Sequence, residues 1–386
     1  MSSLRLSLRP PRLCVETRTL RTATSPAPGK STYTETFFKS LIPARPDYAA
    51  IAFPLITGAK HAIIESMIYS RREIGKLALA ALPATRLCSA KPNSVFGGVQ
   101  VGINAPYSFH NIPGTADDIL NYMTQLNLSA AELRLQPVEA YLKAPTPWVA
   151  PTPPRGTPRP PLTPEQKAEQ AAVAAAQEKW RLSQSMDGFK AFRKKYEDSG
   201  VFIQIVKYDG INTFKDDVVD YCFQVAKALG ANAISCEIPV SQTERLGAFA
   251  AKHQMMVGYH GHGNLTNPEA FGRLGAWEQA FTYSKFNGAN VDIGHFFAAT
   301  GTSPAAWIKA NHDRVTHVHI KDRKANNGPN VPFGQGDTPI REILSMMKKE
   351  KYKFQATIEM EYPVPEGSTL LKEIGKCVQF CQDILS

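Results

Sequence analysis

Short apolar runs alternate with amphipathic segments along most of this chain. Runs rich in Val, Ile and Ala are typical of buried strands, and apolar residues three and four positions apart predict helices. Eight strand and helix pairs follow one another from Phe96 to the C-terminus. Because parallel strands joined by helices are covered on both faces, the pattern predicts an α/β fold, a single (β/α)8 TIM barrel.

The boundaries of the predicted elements follow from local signals. Strands are expected at 96–105, 130–136, 201–207 and 232–238, and then in the runs VGYH, NVD, VTHVHI and ATIE. Thr115 with Asp118 and Thr163 with Gln166 have the spacing of capping boxes, so each pair predicts the start of a helix. Further helices are expected at 216–229, 243–253, 268–286 and 339–350, from 303–304 towards the seventh strand, and at 368–384.

One connection differs from the rest of the pattern. Residues 145–161 are so rich in proline that we expect an exposed, extended insertion rather than core. The Ala-rich helix that starts at Thr163 is expected to reach Ser199, with a possible break at Gly188. The prediction for residues 91–386 is therefore a barrel with a Pro-rich insertion and a long helix after its second strand.

Several predicted strands end in His, Asp or Glu. In a TIM barrel the C-terminal strand ends share one face, and the active site lies there. Imidazole nitrogens and carboxylate oxygens held by stiff strands suit a divalent cation. The side chains expected on this face are Glu237, His260, His262, Asp292, His295, His319 and Glu359.

Composition and charge argue against a nucleic-acid-binding protein. The chain has 386 residues, of which 43% are hydrophobic and 20% charged, and a formal net charge of +10. Residues 1–66 hold nine Lys/Arg and four Asp/Glu, and residues 67–90 hold four and one, which leaves only +2 for 91–386. A surface that binds nucleic acid would need more positive charge on the folded part.

The N-terminal region is interpreted separately from the barrel. Residues 67–90 combine the basic Ser70-Arg71-Arg72, a short apolar run and small residues, and so resemble a twin-arginine export signal. The apolar run is too short for stable membrane insertion. We expect a periplasmic or exported protein, or a cytoplasmic one if the signal is not used. Residues 1–66 are expected to be a mis-assigned or disordered extension, with Met67 as the true start.

From its first strand to its end the chain resembles the xylose isomerase-like TIM barrels, the sugar phosphate isomerase/epimerase superfamily that includes the endonuclease IV branch. The motifs that carry the resemblance are VDIGH after the sixth strand, HIKD after the seventh, the FGQGD loop and IEME at the eighth. The resemblance implies one or more divalent cations (Mn, Mg, Co or Zn; the identity stays open), and an activity that moves a proton next to a sugar carbonyl.

By position, Asp292, His319 and Glu359 match metal ligands of that family. The fifth strand departs from it, because Tyr259-His260-Gly261-His262 stands where many epimerases have a Glu that is both ligand and base. We expect His260 to bind a metal but not to act as a carboxylate base. Glu237 on the fourth strand is the candidate compensating carboxylate and a further candidate ligand.

The leading hypothesis is a metal-dependent sugar or keto-sugar isomerase or epimerase that acts through an enediolate. Glu359 or Glu237 is expected to be the base, and His262 or Lys321 the proton donor. The same intermediate would serve elimination from a 3-keto-glycoside. Two alternatives stay open: a catalytically inactive sugar-binding barrel, and a phosphodiesterase like endonuclease IV, which the charge disfavours. The expected partner is a small carbohydrate, and the oligomeric state is left open.

Overall fold

The structure, a computed structural model, describes residues 90–150 and 160–386. Eight parallel strands form a closed barrel, which confirms the predicted (β/α)8 TIM barrel. The strands are β1 (Val99–Ala105), β2 (Ala130–Arg134), β3 (Phe202–Tyr208), β4 (Ala233–Cys236), β5 (Met256–His260), β6 (Asn287–Asp292), β7 (Val315–Ile320) and β8 (Gln355–Ile358).

The barrel closes between its first and last strands. Neighbouring strands pair in chain order, and β8 also pairs with β1. At this seam Val101 lies opposite Ala356, and Ile103 lies opposite Ile358. All eight strand ends therefore point to the same face.

In the described ranges, helices cover the outside of the barrel, and all but one of them, Pro164–Ser183, contribute buried apolar residues to the core. They are α1 (Ala116–Gln125), α2 (Leu135–Tyr141), α3 (Pro164–Ser183), α4 (Asp187–Asp198), α5 (Asp216–Ala228), α6 (Thr243–His253), α7 (Leu274–Tyr283), α8 (Ile293–Thr300), α9 (Ala305–Ala310), α10 (Ile340–Glu350) and α11 (Leu370–Leu385). The two predicted capping boxes, at Thr115 and Thr163, are both present.

The first predicted strand, Phe96–Ala105, is wrong at its start. Gly97 and Gly98 both have positive φ, a conformation that glycine adopts without steric cost. They form a turn, and the short strand Val95–Phe96 before it pairs antiparallel with the start of β1. The barrel strand itself begins at Val99.

Two helix predictions are also corrected, and two helices were missed. The helix expected at 268–286 spans Leu274–Tyr283; at its expected start the Asn267 side chain accepts a hydrogen bond from the backbone N–H of Glu269, which favours a turn over a helix. The helix from Thr163 is interrupted at 184–186 rather than at Gly188. α2 and α8 were not predicted, since each follows its strand without an intervening loop.

The barrel interior is polar near the site. His317, Gln355 and Thr357 are buried there. Gly102 makes room for one of them, because a Cβ at this position would lie 2.3 Å from the amide nitrogen of Gln355. The apolar core lies instead between the strands and the helix layer.

The connection from β2 to β3 contains α2, α3 and α4, and the last two occupy the range of the long helix predicted there. Arg181 of α3 binds Glu139 of α2 through two hydrogen bonds of 2.7 and 2.9 Å. Of the expected Pro-rich insertion, residues 145–150 and 160–161 have no regular structure, and the rest lies outside the described residues. The predicted extension (1–66) and export signal (67–90) also lie outside them, apart from residue 90.

None of the helices in the described ranges is both long enough and apolar enough to cross a membrane.

Candidate functional site

Four side chains that the sequence placed together meet at the C-terminal face of the barrel. β5, β6 and β7 supply His260, Asp292 and His319, and Glu359 follows β8 directly. None of the four is more than 4% exposed. One ligand atom from each lies within 4.8 Å of the others. These residues are called the four-residue cluster below.

Two polar atoms of the four-residue cluster are buried without a hydrogen-bond partner among the described residues. They are Nδ1 of His260 and Oδ2 of Asp292. Since buried polar atoms are nearly always hydrogen-bonded, such atoms call for an explanation. A cation would satisfy both, and two imidazoles with two carboxylates are ligands that Zn²⁺ and Mn²⁺ accept. The residues present therefore fit a divalent cation.

A buried carboxylate on β2 fixes the orientation of His319. Oε2 of Glu132 lies 2.5 Å from Nε2 of His319, while Nδ1 on the other side of the ring lies 3.0 Å from Oε2 of Glu359. Burial lowers the pKa of His319, but the charges of Glu132 and Glu359 outweigh it and raise the pKa to about 10. Because Glu132 holds Nε2, the nitrogen that would bind a metal is Nδ1, after it has lost its proton.

Asp292 is positioned by the helix that follows it. Its Oδ1 caps α8 by accepting a hydrogen bond of 2.7 Å from the backbone N–H of His295. This bond leaves Oδ2 directed at the four-residue cluster. The direct step from β6 into α8 therefore orients a candidate ligand.

Glu359 is held by three neighbours. Oε1 accepts a hydrogen bond of 2.8 Å from the Asn104 amide. Oε2 lies 3.0 Å from Nδ1 of His319 and 2.7 Å from Nζ of Lys321. With so many partners and only 3% exposure, this carboxylate has little freedom to move towards a substrate.

Lys321, one residue after β7, places a buried ammonium beside the four-residue cluster. Its Nζ lies 3.1 Å from Oδ2 of Asp292, without hydrogen-bond geometry, and also binds Glu361. Nε2 of His295 is 3.0 Å away. Burial lowers the pKa of Lys321, but the neighbouring carboxylates Asp292, Glu359 and Glu361 outweigh it and hold the pKa well above its usual range.

Glu237 and His262 form a separate pair at the more exposed side of the mouth. Oε2 of Glu237 lies 3.0 Å from Nε2 of His262, and Oε1 accepts a hydrogen bond of 2.6 Å from Lys207. Both side chains of the pair are more than 40% exposed. Burial raises the pKa of the Glu237 carboxyl, but the His262 hydrogen bond and the Lys207 charge outweigh it and hold the pKa well below its usual range. Glu237 is not in the four-residue cluster.

His295 connects the two parts of the site. Its ring nitrogens face two cations, Nε2 towards Lys321 and Nδ1 towards Arg323 at 2.7 Å. A ligand atom of His295 also groups with those of His260 and His262. A neutral imidazole accepts at only one nitrogen, and neither cation has an acceptor. His295 therefore cannot satisfy both neighbours at once.

The charges at this face are unbalanced towards negative. Lys207, Lys321, Arg323 and the protonated His319 supply four positive charges against five carboxylates, and Arg134 nearby is neutralised by Asp209 at 2.6 Å. The excess of carboxylates favours a bound cation, since buried charges need compensation. The carboxylates are Glu132, Glu237, Asp292, Glu359 and Glu361.

An open pocket of about 660 Å³ adjoins the site beside Glu361. Tyr107, Arg134 and Asn330 line it. The Arg134 guanidinium lies over the Tyr107 ring at 5.1 Å from its centroid. This volume lies within the range of small-molecule sites.

Asp322 has a structural function rather than a place in the site. Its carboxylate accepts hydrogen bonds from the backbone N–H groups of Gly334 (2.8 Å), Gly336 (2.9 Å) and Thr338 (3.3 Å), which belong to the FGQGD loop or follow it. It does not pair with Lys321.

Asp322→Ala is expected to lower the free energy of unfolding by about 1–3 kcal/mol, because three backbone N–H groups of the loop lose a charged acceptor. Denaturant unfolding measures the loss, and limited proteolysis detects loosening of the loop. Asp322→Asn is the matched control, since it keeps one acceptor oxygen and should lose less. Equal stability of Asp322→Ala and the unaltered protein would contradict this function of the carboxylate.

Several residues of the site were missed by sequence reasoning. Glu132 was recognised only as the end of a strand, and Lys207, Asn104 and Glu361 were not considered. Lys207 could have been noticed, because a lysine inside the apolar run of β3 is expected to be buried and to need a charged partner. In the structure its exposure is only 1%.

Comparisons with known proteins agree with this architecture. Residues 235–377 match the family described as xylose isomerase-like TIM barrel. No curated protein sequence matches the chain. The matched segment contains every predicted site residue but neither Glu132 nor Lys207.

Solved structures of the same fold are similar at low sequence identity. The IOLI protein with a bound zinc atom has a TM-score of 0.52 and 14% identity, over 75% of this chain and 98% of that one. A xylose isomerase domain protein from Alicyclobacillus acidocaldarius subsp. acidocaldarius has a TM-score of 0.51 and 14% identity, over 74% and 99%. A 3-keto-D-glucoside 4-epimerase from E. coli has a TM-score of 0.48 and 10% identity, over 73% and 97%.

At such identities the structural likeness establishes the fold alone. The sequence match covers the half of the barrel that supplies the four-residue cluster. The chain is thus a TIM barrel whose residues 235–377 are similar to the xylose isomerase-like family.

Proposed function

We propose that this protein is a divalent-metal-dependent isomerase or epimerase of sugars or keto-sugars. The observation that carries the proposal is the four-residue cluster, which lies at the face where barrel enzymes act and has two buried atoms without a hydrogen-bond partner among the described residues. The match of residues 235–377 to xylose isomerase-like barrels supports a carbohydrate substrate.

His260, Asp292, His319 and Glu359 would hold the cation. When bound, it would polarise the carbonyl and neighbouring hydroxyl oxygens of a sugar and stabilise the charge of an enediolate. Asn104 and Glu132 fix the orientation of two of these ligands by hydrogen bonding Glu359 and His319. Such outer contacts support metal affinity.

The Glu237–His262 pair is the better placed proton acceptor. Glu359 is buried and held by three groups, whereas Glu237 and His262 reach the open side of the mouth. Because Glu237 holds Nε2 of His262, the ring atom left to take a proton is Nδ1. A neutral imidazole accepts a proton at the nitrogen that does not carry one, so Nδ1 suits a base.

Lys321, beside Asp292 and Glu359, is the candidate donor to the substrate oxygen. Its ammonium binds Glu361, which lines the pocket. A substrate that reaches from the pocket towards the four-residue cluster would therefore pass close to the ammonium. This arrangement suits removal and return of a proton at a carbon next to a carbonyl.

Elimination from a 3-keto-glycoside is a second candidate reaction. It begins with the same proton abstraction, and then a bond to a leaving group breaks. The open pocket beside Tyr107, Arg134 and Glu361 favours it, since it offers space next to the reacting sugar. Release of an aglycone from a keto-glycoside would distinguish elimination from epimerisation.

The test is elemental analysis of the purified protein, followed by a screen of keto-sugars and glycosides in deuterated water. We expect bound divalent metal and deuterium incorporation next to the carbonyl, both lost after treatment with a chelator and restored by metal. Metal without exchange would point to a sugar-binding barrel without catalysis. Absence of both metal and exchange would reject the proposal.

A further inference from the structure

The ammonium of Lys321 lies against the oxygens that a cation would need. Its Nζ is 3.1 Å from Oδ2 of Asp292 and 2.7 Å from Oε2 of Glu359. The side chain is only 2% exposed, so water does little to screen these contacts. Two members of the four-residue cluster thus already have a positive partner.

An ammonium and a divalent cation cannot share these oxygens in this arrangement. A metal binds carboxylate oxygen at about 2.0–2.2 Å. An ammonium about 3 Å from the same atoms would then face a doubly charged ion a few ångströms away, and that repulsion is strong in a buried site. Binding of a cation therefore requires the lysine to withdraw.

We propose that Lys321 is a built-in competitor of the divalent cation, neutralising Asp292 and Glu359 in the metal-free protein and transferring to Glu361 when the cation binds. The inference rests on the proposed function for the location of the cation. It adds a device that sets how tightly the metal is held.

The surroundings of Lys321 provide the alternative position. Glu361 already binds its ammonium and lies outside the four-residue cluster, at the wall of the pocket. The amide of Asn330 donates to the same carboxylate at 3.3 Å. A lysine withdrawn to Glu361 would remain paired and would face the substrate.

The aliphatic part of the Lys321 side chain packs against the backbone of α8 at Gly294. A Cβ at Gly294 would lie 2.3 Å from Cγ of Lys321, so any other residue there would displace the side chain. The position of the Lys321 side chain beside Asp292 therefore depends on glycine at position 294.

The experiment measures metal affinity in Lys321→Met and in the matched control Lys207→Met. Lys207 is also a buried lysine of this face, but it pairs with Glu237 and not with the four-residue cluster. Metal-free proteins are titrated with Zn²⁺ against a chelator of known affinity. Thermal unfolding is recorded without and with Zn²⁺, which also establishes that each variant is folded.

We expect Lys321→Met to bind Zn²⁺ about 10- to 100-fold more tightly than the unaltered protein, because the competing charge is gone. Lys207→Met should change the affinity by less than about threefold, as expected for a more distant charge. Without metal, Lys321→Met should melt at a lower temperature, since its carboxylates repel each other, and Zn²⁺ should raise its midpoint more than that of the unaltered protein.

Weaker or unchanged Zn²⁺ binding in Lys321→Met, with normal binding in the unaltered protein, would overturn the competition and leave the proposed function standing. Binding by Lys321→Met alone would support the competition and reject the metal-dependent function, because the lysine would then be the permanent cation. Absence of binding in both proteins would reject both.

Discussion

His319→Ala and Asp292→Ala are each expected to lose bound metal and catalytic activity together. Both residues belong to the four-residue cluster, and removal of one ligand leaves the cation under-coordinated among carboxylates that repel one another. We expect the metal content to fall to a small fraction of its original value, and deuterium exchange to fall by at least about 100-fold. Elemental analysis and exchange into a keto-sugar measure the two effects on the same sample.

His317→Gln is the matched control for these variants. His317 lies on the same strand and is equally buried, but it is in contact with Glu132 at 3.3 Å and outside the four-residue cluster. We expect this variant to keep its metal. If His317→Gln loses the metal while Asp292→Ala retains it, the cation lies deeper, among Glu132, His317 and His319, and the assignment of ligands is wrong.

Glu237→Gln is expected to abolish proton exchange while the metal stays bound. The amide keeps an oxygen near His262 but loses the negative charge that supports a protonated imidazole. Loss of a positioned base costs roughly 10²–10⁴-fold in rate, or about 3–5 kcal/mol of barrier. His262→Gln should have an effect of the same size, whereas Glu359→Gln should lower metal content and exchange in parallel.

The three variants separate the candidate bases. If Glu359→Gln keeps its metal but loses exchange, and Glu237→Gln exchanges normally, the base is Glu359. Normal exchange in all three variants would require the enediolate mechanism to be abandoned. Asp322→Asn serves as the control for the loss of a carboxylate near this face, since Asp322 holds the FGQGD loop and belongs to neither group.

The order of strands and helices, and the residues at the C-terminal ends of β5 to β8, could be predicted from the sequence. His260, Asp292, His319 and Glu359 stand at or next to the ends of apolar runs, and strands in a closed parallel barrel must bring such ends together. The prediction that these side chains share a face therefore needed only the alternation of strands and helices, whereas their choice as metal ligands rested on the family resemblance. No distance had to be known.

Contacts across the barrel interior could not be predicted in the same way. Glu132 and His319 are separated by 187 positions, and their contact depends on the register of strands that are not neighbours in the sheet. Strand periodicity says which residues share a side, but not which of them meet across the interior. Glu132 therefore looked like the end of an ordinary strand.

Adjacent residues at a strand end also separate in a way that sequence does not reveal. Lys321 and Asp322 are neighbours in the sequence, directly after β7. In the structure Lys321 faces the cluster and Asp322 faces the FGQGD loop, because successive side chains leave an extended segment on opposite sides. Their different functions follow from the opposite directions of two adjacent side chains.

The seam between β1 and β8 has a consequence for the order in which the site is assembled. Glu359 comes from the last strand to be synthesised, and it is held by Asn104 from the first. Contacts between such distant parts of a chain form late in folding, since a large loop must close before they contribute. A nascent or truncated chain without β8 would have only part of the coordination sphere. The time course of metal uptake during refolding would therefore report when β8 pairs with β1 and closes the barrel.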